Sequence, residues 1–267
     1  MHINLEGRVA VVTGAGRGIG HDLVLRLARE GVSTVALDVN EANLEALGRE
    51  LAAIGVPPEQ YFCSVCDVRD SVRIADVVKT AHDRYGHLDI LVNNAGVAVG
   101  GPVDTMTEET WRLAQDVNVT GTFLMCQAVI PYMKQQRHGR IINASSFAAI
   151  VPSVAGTAYA SAKAAVAHFT RTLAGELGPW DITANAYAPG MVPTEMNHFA
   201  ERAPDAQERL LDLLTLRRWG STEDIGNLIC FLASDQASYI TGTLIDVSGG
   251  KLATQVPRVA YDRAASA

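Results

Sequence analysis

Tyr159 and Lys163 have residue types and a spacing that could carry out proton chemistry. They stand four residues apart in the segment YASAKAA, residues 159–165, among alanine and serine. Alanine favours a helix, and residues at i and i+4 lie on one helix face, one turn apart. A tyrosine could exchange a proton with a substrate, and a lysine cation beside it would favour the phenolate. Such pairs are common by chance, so a helix face with an aromatic stripe is the alternative.

The glycine-rich segment TGAGRGIG, residues 13–20, is a second candidate for chemistry. Its glycines follow the pattern G-x-x-x-G-x-G through Gly14, Gly18 and Gly20. The commoner pattern G-x-G-x-x-G would need a glycine where Ile19 stands. Glycines here allow a sharp turn and a close approach of a pyrophosphate to a helix N-terminus. Because the segment lies between a predicted strand and a predicted helix, it fits a dinucleotide-binding loop better than a merely tight turn.

Asp38 bears on the choice between the two nicotinamide dinucleotides. It ends the second predicted strand, about 20 residues after the glycine loop. Its carboxylate can accept hydrogen bonds from the adenosine ribose hydroxyls and would repel a 2′-phosphate. Arg17 acts in the opposite direction, since it could reach such a phosphate, whereas Val39 and Asn40 supply no cation. We therefore expect NAD as the cofactor, and whether Arg17 also permits NADP stays open.

Strands and helices that would position these residues alternate along the chain. Short apolar runs predict strands at residues 8–15, 33–39, 61–68, 88–96, 139–146, 182–190 and 242–250. Amphipathic stretches predict helices at residues 20–31, 41–55, 71–86, 108–136 and 156–177. This alternation predicts right-handed crossovers and a parallel sheet covered by helices on both faces. The expected fold class is α/β, a single domain over residues 1–267 with a Rossmann-type doubly wound parallel sheet.

Composition and charge narrow the classes of protein. The 267 residues are 48% hydrophobic and 19% charged, with a formal net charge of −7 and no basic run. This is ordinary globular composition, and the negative charge disfavours nucleic acid and anionic membrane surfaces as partners. The sequence shows neither a secretory signal nor an apolar run of membrane-spanning length, so we expect a cytoplasmic protein.

The cysteines and histidines do not form a metal-site pattern. Cys63 and Cys66 make a CxxC in a predicted strand, without a second CxxC or a histidine pair to complete a zinc set. Three residues apart on a strand, their side chains would point to opposite faces, so buried structural thiols are expected. Of the seven histidines, His198 is a candidate for a substrate contact. No metal site is predicted.

Taken in order, the motifs resemble the short-chain dehydrogenase/reductase family in its NAD(P)-dependent form. The resemblance covers roughly residues 5–250. It rests on TGAGRGIG, CDV ending in Asp67 and Val68, NNAG at residues 93–96, Asn118, SS at residues 145–146, YASAK, PGMVPT at residues 189–194 and YITGTLIDVSGG at residues 239–250. Chance agreement of so many ordered motifs is negligible, so the resemblance favours a chemical role for the tyrosine and lysine.

The resemblance implies a role for each matching residue. Tyr159 would be the general acid/base, and Lys163 would tune it and bridge the nicotinamide ribose hydroxyls. Ser146, thirteen residues before the tyrosine, would be the catalytic serine, with Ser145 structural, and Asn118 would help to hold a proton-relay water. The residues expected to bind the cofactor are Gly14, Arg17, Gly18, Ile19, Gly20, Asp38, Asp67, Val68, Asn94, Ala95, Gly96, Tyr159, Lys163, Pro189, Gly190, Val192 and Thr194.

Several of these residues have an expected position along the cofactor. Asp67 and Val68 would flank the adenine, residues 94–96 would line the loop at the ribose, and Thr194 would hydrogen-bond the nicotinamide carboxamide. Phe147 follows the serine where many family members have small residues. The edge of the substrate pocket is therefore not implied by the resemblance.

The expected function is hydride transfer between NAD(H) and a secondary alcohol or ketone, with a Ser–Tyr–Lys proton relay. A 3-oxoacyl-thioester reductase of the acyl-carrier-protein type is the alternative enzyme, which NADPH preference would favour and Asp38 argues against. A non-catalytic nucleotide-binding scaffold is a third possibility, although this chain keeps the whole Ser–Tyr–Lys set. Apolar segments at residues 96–101 and 148–156 predict a roomy pocket that fits secondary alcohols, cyclic alcohols or steroid-like ketones equally well.

Two further expectations concern a mobile segment and assembly. Residues 191–218, with an amphipathic helix at 207–216, are predicted to form a substrate lid, and residues 251–267 form a C-terminal tail. The helices at 108–136 and 156–177 carry more apolar surface than one sheet face needs. Family members pair through these helices, so the resemblance implies a homotetramer, a closed symmetric assembly.

Overall fold

A parallel sheet forms the centre of the molecule. The computed structural model describes residues 3–197, 199–251 and 253–266. Within these ranges the strands are β1 (Val9–Thr13), β2 (Ser33–Asp38), β3 (Tyr61–Val65), β4 (Ile90–Asn93), β5 (Gly139–Ala144), β6 (Ile182–Pro189) and β7 (Leu244–Val247). They pair in the order β3-β2-β1-β4-β5-β6-β7, and every pair is parallel. The prediction of a doubly wound parallel sheet is confirmed.

Helices connect the strands and cover both faces of the sheet. In the described part of the chain they are α1 (Gly18–Arg29), α2 (Glu41–Ala53), α3 (Ser71–Tyr85), α4 (Glu108–Gln115), α5 (Gly121–Gln136), α6 (Thr157–Leu177), α7 (Pro204–Leu211), α8 (Thr222–Ala233) and α9 (Arg258–Ala265). No helix within those ranges has both the length and the apolar character that a membrane crossing needs.

The predicted helix at residues 108–136 is interrupted. A single π-helical turn, Asp116–Thr120, separates α4 from α5. A π-helical turn adds a residue to the helical repeat and redirects the side chains around it. Asn118 lies in the middle of this turn and is fully buried. The interruption therefore sets the direction in which the Asn118 amide points.

Two helices were not predicted, and a third has shifted bounds. Helix α8 begins with a capping box in which Ser221 and Asp224 each accept a hydrogen bond from the backbone N–H of the other. The letters STED before an apolar run carry that signal in the sequence. Helix α9 lies in the C-terminal tail. Helix α7 starts at Pro204 because proline suits the first turn of a helix, and it ends at Leu211 instead of continuing to residue 216.

Both faces of the sheet are buried, as the apolar strands predicted. Along β1, Ala10 and Val12 belong to a core cluster that contains α1 and α8 residues, whereas Val9 and Val11 belong to a second cluster with α3 and α5 residues. The two CxxC cysteines follow the same alternation, since Cys63 packs against the first cluster and Cys66 lies in the second. Both thiols are free, and burial raises the pKa of each to about 11.

The strand order reverses direction at β1. This strand pairs with β2 on one side, at Val11 and Val35, and with β4 on the other, at Val11 and Leu91. The loops that follow β1 and β4 therefore leave the sheet toward opposite helical layers and open a crevice at the carboxyl ends of the strands. The glycine-rich segment and the NNAG segment lie at this crevice, so the topology brings two of the sequence motifs together.

Candidate active site

A cavity of about 380 Å³ lies at the carboxyl edge of the sheet. Most of the residues singled out from the sequence line it: Gly14, Arg17, Gly18, Ile19, Asp38, Asp67, Val68, Asn94, Ala95, Gly96, Ser146, Tyr159, Lys163, Pro189, Gly190, Val192 and Thr194. Gly20 and Asn118 contact the lining residues from behind. The fold thus brings residues from seven segments of the sequence around one cavity.

The glycine loop is shaped by close backbone approaches. Gly14 has a positive φ of 65°, and a Cβ on it would lie 2.8 Å from the Ala95 Cα atom. A Cβ on Gly20 would lie 2.1 Å from the Gly14 carbonyl oxygen. These contacts leave no room for a side chain at either position. The loop can therefore press the N-terminus of α1 against the ends of β1 and β4.

The start of α1 is suited to hold an anionic group. Arg17 is the N-cap residue, and its side chain makes no capping hydrogen bond. The first N–H groups of a helix have no partner within the helix, and the helix dipole favours negative charge there. A dinucleotide pyrophosphate would find N–H donors at this point, beside Gly18, which has a positive φ of 56°.

The carboxylate of Asp38 is held in place by backbone donors. Its Oδ2 atom accepts a hydrogen bond from the Gly16 N–H at 2.8 Å, and its Oδ1 atom accepts one from the Asn40 N–H at 2.9 Å. A Cβ on Gly16 would lie 2.8 Å from the Asp38 carboxyl carbon, so the loop is fitted to this side chain. The Asp38 charge is thereby fixed beside the glycine loop.

Ser146 and Tyr159 lie beside each other in the cavity. Ser146 follows the end of β5 and caps a short 3₁₀ turn, in which its Oγ atom accepts from the Ala148 N–H at 3.1 Å. Tyr159 lies in the first turn of α6. Burial raises the pKa of the Tyr159 phenol, and the hydrogen bond from Ser146 partly offsets that rise. The arrangement favours a neutral phenol beside a serine hydroxyl.

Lys163 is a buried cation at the base of the cavity. Its Nζ atom donates to the Ala144 carbonyl oxygen at 2.9 Å and lies 5.7 Å from the centre of the Tyr159 ring. The side chain is 4% exposed, and burial lowers its pKa to about 8. Ser145 donates from Oγ to the Lys163 carbonyl oxygen at 2.8 Å, which ties α6 to the end of β5.

The side chain of Asn118 orders the loop that follows β4. Its Nδ2 atom donates to the Val97 carbonyl oxygen at 3.0 Å, and its Oδ1 atom accepts from the Val97 N–H at 3.3 Å. Nδ2 also donates to the Ala114 carbonyl oxygen at 2.8 Å. A Cβ on Gly96 would lie 2.8 Å from Asn118 Oδ1 and 3.2 Å from Lys163 Nζ. Asn118 and Lys163 therefore border the same glycine.

Some lining residues were not named as site residues from the sequence: Val39, Cys66, Arg69, Leu113, Val117, Ala144, Ser145 and Tyr187. Others, Val97, Glu195, Met196 and Asn197, lie in the segments that were expected to form the pocket and the lid. Arg69 forms an ion pair with Asp67 at 2.6 Å, which lowers the pKa of that carboxyl. Tyr187 donates from its hydroxyl to Asn94 Oδ1 at 3.1 Å. Arg69 follows the motif CDV, and Tyr187 precedes the motif PGMVPT. Their nearness to these motifs is the feature of the sequence that could have identified them.

The sequence also raised a candidate substrate contact, His198, and the question of a metal site. His198 lies outside the described residues. Among the described residues, no group of three or more histidine, cysteine, aspartate or glutamate side chains could hold a metal ion.

Comparisons with known proteins place this chain in one class. A family model described as enoyl-(acyl carrier protein) reductase matches residues 14–251. A 3-oxoacyl-(acyl-carrier-protein) reductase of Thermotoga maritima is 39% identical over 93% of this chain and 99% of the relative. The chain belongs to the short-chain dehydrogenase/reductase family, and it is an oxidoreductase by that membership.

Solved structures agree with this family. The crystal structure of levodione reductase is 31% identical, covers 93% of this chain and 99% of its own, and superposes with a TM-score of 0.88. A 7α-hydroxysteroid dehydrogenase complexed with NADH and 7-oxo glycochenodeoxycholic acid is 34% identical, covers 93% of this chain and 96% of its own, and has a TM-score of 0.87. The ketones and the NADH in these names are bound or acted on by those relatives. The family as a whole binds a nicotinamide cofactor.

The burial of Lys163 predicts a pH-dependent gain in stability for Lys163→Met. The pKa falls from 10.5 to about 8, which corresponds to a cost of about 3 kcal/mol. Loss of the hydrogen bond to Ala144 offsets about 1 kcal/mol of the gain. We expect the free energy of unfolding to rise by about 2 kcal/mol at pH 7. Below about pH 8 the lysine is charged in both states, so the gain is complete there, and it disappears as the pH approaches 10.5.

Urea unfolding between pH 6 and pH 10 measures this dependence. Lys79→Met, at an exposed lysine of α3, is the matched control and should show little change at any pH. A gain for Lys163→Met that stays constant across the range would contradict the assignment of the cost to a buried cation.

Proposed function

We propose that the protein is an NAD(H)-dependent oxidoreductase that interconverts a secondary alcohol and a ketone. The observation that carries this proposal is a single cavity lined by Ser146, Tyr159 and Lys163 at one part and by Asp38 at another. The cavity also has apolar lining residues, Leu113 and Met196, that suit a carbon-rich substrate. When bound, NAD would accept the hydride in alcohol oxidation, and NADH would supply it in ketone reduction.

The side chains of this chain would handle the proton. In the reduction, the Tyr159 hydroxyl donates its proton to the substrate oxygen as the carbonyl becomes a hydroxyl. Ser146, which lies beside Tyr159, would hold the substrate oxygen beside the phenol. The Lys163 cation favours the phenolate that remains, and Asn118 keeps the neighbouring loop in position. In the oxidation the same proton moves from the alcohol to Tyr159.

Cofactor binding would use the residues that line the rest of the cavity. The N–H groups at the start of α1 would bind the pyrophosphate, and Asp38 would accept hydrogen bonds from the adenosine ribose hydroxyls. Lys163 would bridge the nicotinamide ribose, and Thr194 would bind the carboxamide. The absence of space at Gly14 and Gly20 supports this fit, because side chains there would displace the loop that the pyrophosphate approaches.

A 3-oxoacyl-thioester reductase is the second candidate, favoured by the relative that is 39% identical. A preference for NADPH would favour the thioester reductase. The Asp38 charge opposes the 2′-phosphate of NADPH, so it argues for the alcohol dehydrogenase or ketone reductase instead. A panel of cyclic and steroid-like ketones with NADH, beside a 3-oxoacyl thioester with NADPH, distinguishes them. Faster turnover of the thioester with NADPH would replace the first proposal by the second.

Tyr159→Phe tests the proton relay. Only the hydroxyl is removed, so the fold and NADH binding should survive. Without a positioned proton donor, turnover of a substrate found in the panel should fall by at least ~100-fold, the low end for general acid–base catalysis. Tyr85→Phe, at a half-buried tyrosine of α3 outside the cavity, is the control. Near-normal turnover in Tyr159→Phe would contradict the mechanism.

The cofactor preference tests Asp38. We expect kcat/KM with NAD to exceed that with NADP at least tenfold, which corresponds to ~1.4 kcal/mol. Asp38→Ala removes the charge that opposes the 2′-phosphate and should relax the preference. Asp246→Ala, an exposed aspartate on β7, should leave the ratio unchanged. Equal efficiency of the wild type with both cofactors would refute the assignment of NAD.

Assembly into a homotetramer is part of the proposal. Trp111 on α4 and Phe123 on α5 are 40% and 43% exposed, and Ala164 and Ala165 on α6 are also exposed. These positions agree with pairing through the helices of the long predicted stretches. Phe123→Asp should reduce the mass measured by light scattering at micromolar concentration, whereas Val72→Asp, on exposed α3 surface, should not. A wild-type monomer would contradict this part of the proposal.

The segment 191–218 is proposed to act as a lid that orders over substrate. Helix α9 contacts it, because Arg258 pairs with Asp212 at 3.1 Å and Tyr261 donates to the Thr215 carbonyl oxygen at 2.8 Å. Hydrogen exchange in this segment should slow when substrate and cofactor bind, and Arg258→Ala should speed it without ligands. Arg263→Ala, on the same helix, is the control. Equal exchange with and without ligands would contradict a lid.

A further inference from the structure

An ion pair joins the glycine loop to the segment that follows β6. Arg17 Nη1 lies 3.1 Å from Glu195 Oε2, and both residues line the cavity together with Asp38. Next to the pair, a Cβ on Gly18 would lie 3.4 Å from Thr194 Cγ2, so the two chain segments touch. The pair therefore spans the cavity wall at the loop where the cofactor phosphates are proposed to bind.

The arginines that line the cavity each have a carboxylate partner. Arg69 donates from Nε to Asp67 Oδ1 at 3.0 Å and from Nη2 to Asp67 Oδ2 at 2.6 Å. Arg17 is bound by Glu195. Besides these arginines, the lysine Lys163 lines the cavity, and its Nζ atom donates to the Ala144 carbonyl oxygen. A phosphate at the adenosine ribose would thus meet the fixed Asp38 charge while the nearest loop arginine is already neutralised.

We infer that Glu195 is a cofactor-specificity residue, which withholds the Arg17 guanidinium from a ribose 2′-phosphate. The inference rests on the proposed NAD dependence and adds a second component to it. Asp38 repels the phosphate directly, and Glu195 removes the cation that could compensate for that repulsion. An arginine released from Glu195 could bind a phosphate through two parallel hydrogen bonds.

The exposure of the pair limits the size of the effect. The side chains of Arg17 and Glu195 are 56% and 70% exposed. Exposed ion pairs are weak and screened by salt, so the expected change in NADPH affinity is about threefold to fivefold at low salt and smaller at high salt. A purely structural pair that joins the two segments would instead change the affinities for NADH and NADPH by the same factor.

Fluorescence titration of the full-length protein with NADH and with NADPH measures both dissociation constants without any substrate. Glu195→Gln and Glu195→Ala should each lower the NADPH Kd about threefold to fivefold relative to that of NADH. The alanine variant matters because glutamine could still accept a hydrogen bond from Arg17. Combining either change with Arg17→Gln should abolish the gain. Glu59→Gln, which removes the same charge at an exposed position outside the cavity lining, should give none.

Three results would overturn the inference. They are an unchanged NADPH-to-NADH ratio in both Glu195 variants, a gain that persists without Arg17, and an equal gain in Glu59→Gln. The proposed function is tested separately, by the ratio in the wild type. A wild type that prefers NADPH would refute NAD dependence, whereas the role of Glu195 is decided by the change that its replacement causes.

Discussion

The buried ammonium of Lys163 is the constraint on which the rest of the site depends. Removing a cation from water costs several kcal/mol unless neighbouring dipoles compensate. The Ala144 carbonyl oxygen at the end of β5 supplies one such dipole, and Ser145 binds the lysine's own carbonyl oxygen. These two hydrogen bonds fix the register of α6 against the sheet. Once that register is set, the helical spacing places Tyr159 one turn earlier, where Ser146 can reach it.

A second constraint is the lack of space between the loops at the switch point. The Gly14, Gly16 and Gly20 positions lie so close to Ala95, Asp38 and each other that a Cβ would collide. The segment after β1 is therefore packed against the backbone of Ala95 after β4 and against the Asp38 side chain at the end of β2. This packing has a chemical consequence, because it brings the Asp38 carboxylate and the start of α1 within the length of one dinucleotide.

The sequence predicted those parts of the fold and of the site that depend on local patterns. Continuous apolar runs marked the strands, and residues inside ordered motifs, such as Asn94 and Tyr159, were found at the cavity. The π-helical turn at Asp116–Thr120 was missed because a single extra residue barely disturbs a helical pattern. The pairing of Arg17 with Glu195 spans 178 residues and depends on tertiary packing alone. Helix α8 differs, since its capping box was legible in the sequence.

Burial acts on the two titratable groups of the proposed relay in the same sense. It raises the pKa of the Tyr159 phenol and lowers that of the Lys163 ammonium, so each is shifted toward its neutral form. The lysine cation, 5.7 Å from the ring centre, favours the phenolate but does not overcome desolvation. A neutral phenol is the form that can donate a proton to a ketone, whereas alcohol oxidation needs the phenolate as the base. Under the proposed function, the neutral phenol is the form that would serve reduction, and a positive charge beside Tyr159 would favour the phenolate that would serve oxidation.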